Sequence, residues 1–488
     1  MRKVAMYRID NQISILEFIS PFGQLDPENR WVKIADMIPW QQFEKRYTEQ
    51  FCPDNGAPAL PFRMAIGTLI LKQMTSNSDD EVLANIVENP YHQFLIGLHE
   101  FTKAQPFSQR QITNFRKYMP QELIDEINEL LFKPPKKEDP PTPPPTDKLE
   151  EEPPKNEGTL LFDATCVPAN IAYPTDVNLL NEARENLESI IDTLYPYTDI
   201  TRKPRTYRQE ARRRYLNFVK QSKPRKNVIR KAIGQQLRYV KRNLGHIDAL
   251  LQTVPIEVLS HRQKDRLLTI RTLYEQQKNK HQTKNNSIPN RIVSLHQPWV
   301  RPIVRGKAKA AVEFGAKVSI HMLNGYAFVD KTDWNAYPEE ALLIPAIQAY
   351  YKKYAVYPKA VIADRIYRNR TNLAFCKTHG IRLSGPKLGR PPKITDPTIK
   401  QLERQDAATR NAVEGKFGEG KTRYGLDRIM TRLQATSETT ISMVFLCMNI
   451  KRRLRELLSF LWLWTNTAHL LVDNSVCKGH LFEKRVFA

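Results

Sequence analysis

Over residues 1–132 the apolar positions fall at helical spacing. Phe62 to Met74 (FRMAIGTLILKQM) is apolar almost throughout and predicts a buried helix. Ser78 and Glu81 form a capping-box pair, and Val82, Leu83, Ile86 and Val87 follow at helical spacing, which predicts the next one. Ser108 is placed to cap a further helix with Ile112 and Phe115 on one side and Gln109, Arg110, Asn114, Arg116 and Lys117 elsewhere on its surface. The expectation is an all-helical N-terminal domain with a helix-turn-helix character. Arg116 and Lys117 fit a DNA-reading helix and a solvated face equally well.

The pattern breaks at Lys133 to Glu157, KPPKKEDPPTPPPTDKLEEEPPKNE, where nine of 25 residues are proline and Leu149 is the only large apolar side chain. Such a stretch cannot bury a core and reads as an extended spacer between folded regions. Beyond it the texture becomes short β-rich runs mixed with helices. Thr159 to Phe162 is an apolar run that stops at Asp163. Lys317 to Met322 leads into Asn324-Gly325 and Tyr326 to Val329 returns, a strong hairpin signal. Pro338 to Tyr354 reads as a helix, Ala360 to Ala363 as a buried strand ending at Asp364, Arg368 to His379 as a helix, and Ile381 to Leu383 as a short strand. This alternation predicts an α/β layer around a largely buried sheet. The domains expected are residues 1–132, a linker at 133–157, an α/β domain at 158–438 and C-terminal helices at 439–488 packed on it.

Charge adds to that picture. The 488 residues carry 75 Lys and Arg against 52 Asp and Glu, a net of +23. Residues 201–310 hold 28 of the basic residues and 5 of the acidic ones, so the rest of the chain, with 47 of each sign, is neutral. One segment therefore carries the whole excess. It reads as a basic helical insertion, about residues 200–290, with helices around Arg208 to Lys220 and Asn227 to Leu251. A field concentrated in this way suits a polyanion, and Arg212, Arg213, Arg214, Lys226, Arg230 and Lys231 are its candidate DNA contacts.

Other chemistries find less support. The five cysteines are scattered and never spaced as CxxC, so neither a disulfide framework nor a zinc site is indicated, and a reducing cytoplasm fits. No GxGxxG or GxxxxGK[ST] occurs. The start, MRKVAMYRIDNQ, lacks the apolar stretch of a signal peptide. Leu457 to Val472 is uncharged but includes Thr465, Asn466, Thr467 and His469, and reads as a buried helix or a partner-facing surface rather than a membrane span. His296, His321 and Cys166 have no sequence partner for ligation or nucleophilic chemistry, and KLGRPPK at 387–393 reads as an exposed basic loop. Asp163 and Asp364, by contrast, both end apolar strands, where side chains face the ligand crevice of an α/β sheet. Arg410, Glu414 and Lys421 share a spacing of three and then six intervening residues on the last helix of this region. Three carboxylates brought together would call for a divalent cation to offset their charge.

LLFDAT, YPTDVNLLNEARE, VEFGAKVSI, IADRIYRNR and RNAVEGKFGEGKTRYGL, in that order after a helical N-terminal region, resemble the DDE transposases of bacterial insertion sequences, in the group with a Y-R-E-K signature. The resemblance implies an RNase H-like catalytic core. It implies Asp163, Asp364 and Glu414 as catalytic ligands of Mg²⁺ or Mn²⁺, two ions in all, and Arg410 and Lys421 as phosphate contacts. It also implies terminal inverted repeats and target DNA as partners, a homodimer on DNA, and action in the bacterial cytoplasm at the nucleoid. Ala407 stands where the signature places its tyrosine, and Ile366 stands where a small residue is often found. Gly415, Gly418 and Gly420 argue against a helix continuing beyond Glu414, which leaves Glu419 as the alternative third ligand. Three readings stay open: a metal-dependent transposase, a DNA-binding derivative without catalysis, and an RNase H-like structure-specific nuclease.

Overall fold

The computed structural model describes residues 12–51, 58–132, 156–285, 287–304, 312–386, 388–389 and 397–457. Most of the proline-rich spacer, most of the KLGRPPK loop and the apolar stretch beyond Leu457 lie outside the described residues.

Seven helices come first: α1 (Arg30–Met37), α2 (Trp40–Thr48), α3 (Phe62–Thr75), α4 (Asp79–Glu88), α5 (Pro90–Leu95), α6 (Gln109–Tyr118) and α7 (Gln121–Phe132). Helix α3 is buried on all sides from Phe62 to Leu71, as its unbroken apolar run requires. The capping box predicted at Ser78 and Glu81 forms at the start of α4. Ser108 occupies the position before α6, but its side chain makes no capping bond.

The six-stranded sheet consists of β1 (Thr159–Pro168), β2 (Arg301–Val304), β3 (Val312–Leu323), β4 (Tyr326–Asp333), β5 (Ala360–Ala363) and β6 (Arg382–Leu383). β3 lies antiparallel to β1, and both β2 and β4 pair with β3. On the other flank of β1, β5 and then β6 run parallel to it. Asn324 and Gly325, both at positive φ (52° and 81°), close the β3–β4 hairpin in the way the Asn-Gly pair predicts. One expectation fails here. β1 does not stop at Asp163 but continues to Pro168, because β3 is long enough to pair with it residue for residue from Leu161 to Pro168.

The helices α8 (Asp176–Leu194), α9 (Arg208–Val219), α10 (Lys226–Leu250) and α11 (His261–Thr283) enter between β1 and β2. They build a core of their own from residues such as Leu187, Ile191, Val240, Ile247 and Ile270. This helical unit starts at Asp176 rather than near 200, because its first helix is not basic, and α11 is a third long helix that the charge pattern did not reveal. The chain closes with α12 (Leu343–Tyr354), α13 (Arg370–Thr378), α14 (Pro397–Arg423) and α15 (434–457). Only Leu343 onward is α-helical in the stretch expected from Pro338, since Glu339–Leu342 form a 3-10 turn.

Both faces of the sheet are covered, which is why its central strands are apolar in succession. Leu160, Phe162 and Val361 pack with Leu343, Ile347 and Cys376 on one face. Leu161, Ile320 and Ile362 share a second cluster with Val413 and Phe417 of α14, with Val444 and Phe445 of α15, and with the N-terminal helices. Polar side chains seal that junction. Asn449 donates to Asn128 Oδ1 (2.9 Å) and to the Ala327 carbonyl (2.7 Å), and accepts from the Ala327 N–H (3.0 Å). No helix among the described residues is long and apolar enough to cross a membrane.

Asn449 is fully buried, so Asn449→Leu would strand the Ala327 N–H and Asn128 Oδ1 at once. The expected loss is about 3 kcal/mol, seen as a lowered Tm in thermal denaturation, with buried unpaired polar groups as the cause.

Candidate active site

The site is built from the parallel pairing of β1 and β5. Phe162 lies opposite Ala363, so the next residue along each strand, Asp163 and Asp364, fall side by side. β5 ends there because Asp364 caps a short turn, Arg365–Tyr367, its Oδ1 accepting from the Arg365 N–H at 2.6 Å. Asp163, inside its strand, accepts from the Ala164 N–H at 2.8 Å. Burial pushes the Asp163 carboxyl up to about 6; the charges of Glu339 and Asp364 add to the shift, while the Ala164 N–H and Arg410 oppose it.

Helix α14 packs across β1 and β5, with Val413 and Phe417 buried against the sheet. Arg410 and Glu414 lie four residues apart on one face of α14, and Arg410 reaches the residue at the end of β5. Arg410 pairs with Asp364 Oδ1 at 2.8 Å and with Glu414 Oε1 at 3.3 Å, so one guanidinium links two of the expected carboxylates. Contrary to the expectation from Gly415, Gly418 and Gly420, α14 runs unbroken to Arg423. A glycine in a helix costs only about 1 kcal/mol, and packing of the helix on the sheet offsets it. Glu419, the alternative ligand, faces the other way, toward Lys416 (3.7 Å) and Arg455 of α15 (3.9 Å). Lys421 is half-buried two turns beyond Glu414.

One acidic residue at the site escaped the sequence reading. Glu339 leads the 3-10 turn before α12; its Oε1 pairs with Lys317 Nζ at 2.8 Å and its Oε2 accepts from the Tyr367 hydroxyl at 3.4 Å. In sequence it is one of two glutamates opening a helix, a position that needs no function to explain it. Among the described residues no three metal-ligating side chains stand close enough together to form a closed metal site. The donors nevertheless fit Mg²⁺ or Mn²⁺, since Asp163 and Asp364 offer hard carboxylate oxygens and such ions need only one or two carboxylates beside water and substrate phosphate.

The basic insertion presents the expected surface. Arg212, Arg213, Arg214, Lys226, Arg230 and Lys231 are all exposed. Glu210 pairs with Arg213 and with Arg214 (2.6 Å), and the Arg230 guanidinium donates to the His281 carbonyl at 3.4 Å. On α6, Lys117 is exposed and Arg116 is half-buried. Its guanidinium is largely covered and bound to Asp79 at 2.6 Å, which also holds Lys72, because α4 and α6 both pack on α3.

Residues 361–451 match the family described as "Transposase DDE domain", and residues 20–118 match a "Transposase domain" family. A protein of Rhizobium meliloti described as "Uncharacterized protein ORF8 in nfe locus" is 28% identical over 163 residues, spanning 33% of this chain and 73% of that protein. No solved structure matches.

Because the folded state raises the Asp163 carboxyl from its ordinary 3.8 to about 6, it binds a proton that the unfolded chain has already lost over that interval. The associated stability is present below about pH 4 and is lost as the pH rises through about 6. In metal-free buffer, Asp163→Asn is expected to raise stability at pH 7.5 by ~2 kcal/mol and to leave it nearly unchanged at pH 4, read by thermal melting at both pH values.

Proposed function

We propose that this chain, with its two transposase-domain matches of the insertion-sequence DDE kind, cuts the ends of a mobile DNA element and joins the freed 3′-hydroxyl to target DNA. The observation that carries this reading is the pairing of β1 with β5, which sets Asp163 beside the end of β5 where Asp364 follows, with Arg410 of α14 bound to both Asp364 and Glu414. The strand order supports an RNase H-like core, with a central strand flanked by an antiparallel hairpin on one side and two parallel strands on the other. Asp163 and Asp364, joined by Glu414, are the groups that would hold Mg²⁺ or Mn²⁺. Such ions would supply activation of the attacking oxygen and positive charge for the leaving one.

The chain's own residues then have distinct tasks. Arg410, already at the carboxylates, is placed to take a phosphate oxygen of the scissile strand, and Lys421 lies further along the same helix for a neighbouring phosphate. Phosphoryl transfer asks little covalent work of the protein, so holding the strand in line at Asp163 and Asp364 is the larger part of catalysis. Water attacks the phosphorus and the 3′-oxygen leaves as a hydroxyl; that hydroxyl next attacks a target phosphodiester and displaces its 3′-oxygen. The N-terminal helices read the terminal repeats, two copies hold the two ends, and the insertion grips the DNA backbone without reading sequence. The setting is the bacterial cytoplasm.

Asp163→Asn and Asp364→Asn are each expected to abolish cleavage of labelled end DNA in Mg²⁺ while a gel-shift assay shows binding within about twofold of wild type. Cleavage at the wild-type rate by either variant would remove the assignment. Replacing Arg212, Arg213 and Arg214 together by Ala is expected to weaken binding to all DNA sequences alike and to flatten the plot of log affinity against log salt by about 2–3 units. A loss confined to one sequence would contradict the backbone role.

A further inference from the structure

Glu339 is not one of the three acidic positions of the family pattern, yet it sits within the same constellation. It reaches the site through two contacts. Tyr367, fully buried with its ring edge against Phe162 (5.2 Å, 87°), donates its hydroxyl to Glu339, and Tyr367 belongs to the turn that Asp364 caps. Lys317 of β3 binds the other carboxylate oxygen, and its ammonium also donates to the Tyr337 carbonyl at 2.7 Å. Tyr337 in turn shares a hydrogen bond with Ser319 at 2.7 Å, so the whole bracket is fixed to β3. The Glu339 side chain is 21% exposed against 56% for Glu414, which makes it the more deeply set of the two.

A carboxylate anchored in this way does two things. It fixes the turn that carries Asp364, and it sets a negative charge against that turn, on the side where Lys317 joins it to β3. Lys317 pairs with Glu339, and Arg410 is shared by Asp364 and Glu414, so three carboxylates meet only two cations here and the negative charge is not fully matched.

Resting on the reading of the site as a metal-dependent one, we propose that Glu339 is a positioning residue that strengthens divalent-cation binding at Asp163 and Asp364 by its charge, with Lys317 as the counter-charge that tempers it. A purely structural ion pair and an electrostatic role predict opposite patterns. If Glu339 acts by charge, Glu339→Gln removes attraction for the cation and Lys317→Met removes repulsion, so the two variants shift affinity in opposite directions. If the pair only braces the fold, both variants break the same bond and shift affinity the same way.

The test is titration of the full chain, without DNA, with MnCl₂ followed by electron paramagnetic resonance. Thermal melting of each variant establishes that it is folded. Glu339→Gln is expected to bind Mn²⁺ about tenfold more weakly, Lys317→Met severalfold more tightly, and Glu339→Asp within about threefold of wild type, as a charge acting across a partly exposed site allows. Asp163→Asn separates the two levels of the argument. If it abolishes Mn²⁺ binding while Glu339→Gln binds as wild type does, or if the Glu339→Gln and Lys317→Met shifts share a sign, the role of Glu339 is overturned and the site stands. If Asp163→Asn binds Mn²⁺ unchanged, or the wild-type chain binds none, the metal reading of the site falls and this inference with it.

Discussion

Two carboxylates set next to each other on neighbouring strands repel, and the rest of the site is arranged around that repulsion. The register of β1 against β5, with Phe162 opposite Ala363, forces Asp163 and Asp364 together. Phe162 and Ala363 are buried in one cluster and Leu161 and Ile362 in the cluster on the other face, so a slip by one residue would exchange side chains between two differently packed cores. The hydrophobic core thus holds the carboxylates in a position their charges alone would not choose. Burial, with a smaller contribution from the charges of Glu339 and Asp364, raises the Asp163 carboxyl to about 6.

Counter-charge comes from two directions. Arg410 arrives on α14, which is seated by Val413 and Phe417, and it binds Asp364 and Glu414 together. Lys317 arrives on β3 and binds Glu339. Each cation is carried by an element whose opposite side is core, so its approach is fixed by packing rather than by the ion pair itself. Exposed ion pairs contribute little to stability, typically under about 1 kcal/mol, and Asp364 and Glu414 are both more than half exposed. Their value is geometric: they hold the Arg410 guanidinium in one place between the two carboxylates.

The excess charge of the chain is kept apart from this centre. The insertion has a separate hydrophobic core, and its basic residues are largely on the outside of α9 and α10. Its acidic residues are spent internally, Asp176 on Lys280 and Arg291, and Glu210 on Arg213 and Arg214. The neutral remainder of the chain can therefore pack helices, sheet and α15 into one cluster, as buried junctions such as Asn128–Asn449 require.

Local signals in the sequence were enough to determine the helical start, the Asn-Gly hairpin, the short apolar strand ending at Asp364 and the concentration of charge between residues 201 and 310, because each is written in adjacent or periodically spaced residues. Extent was less legible. Asp163 looked like a strand end because the apolar run stops there, but strand length is set by the partner, and β3 carries β1 on to Pro168. Three glycines spoke against the end of α14, yet the sheet beneath it outweighed their propensity. Arg116 looked free until α4 brought Asp79 to it. The tertiary structure alone decided that Glu414 rather than Glu419 shares Arg410 with Asp364, and that Glu339 stands with them. Both are questions of which side a side chain faces after distant segments dock, and no local spacing encodes that.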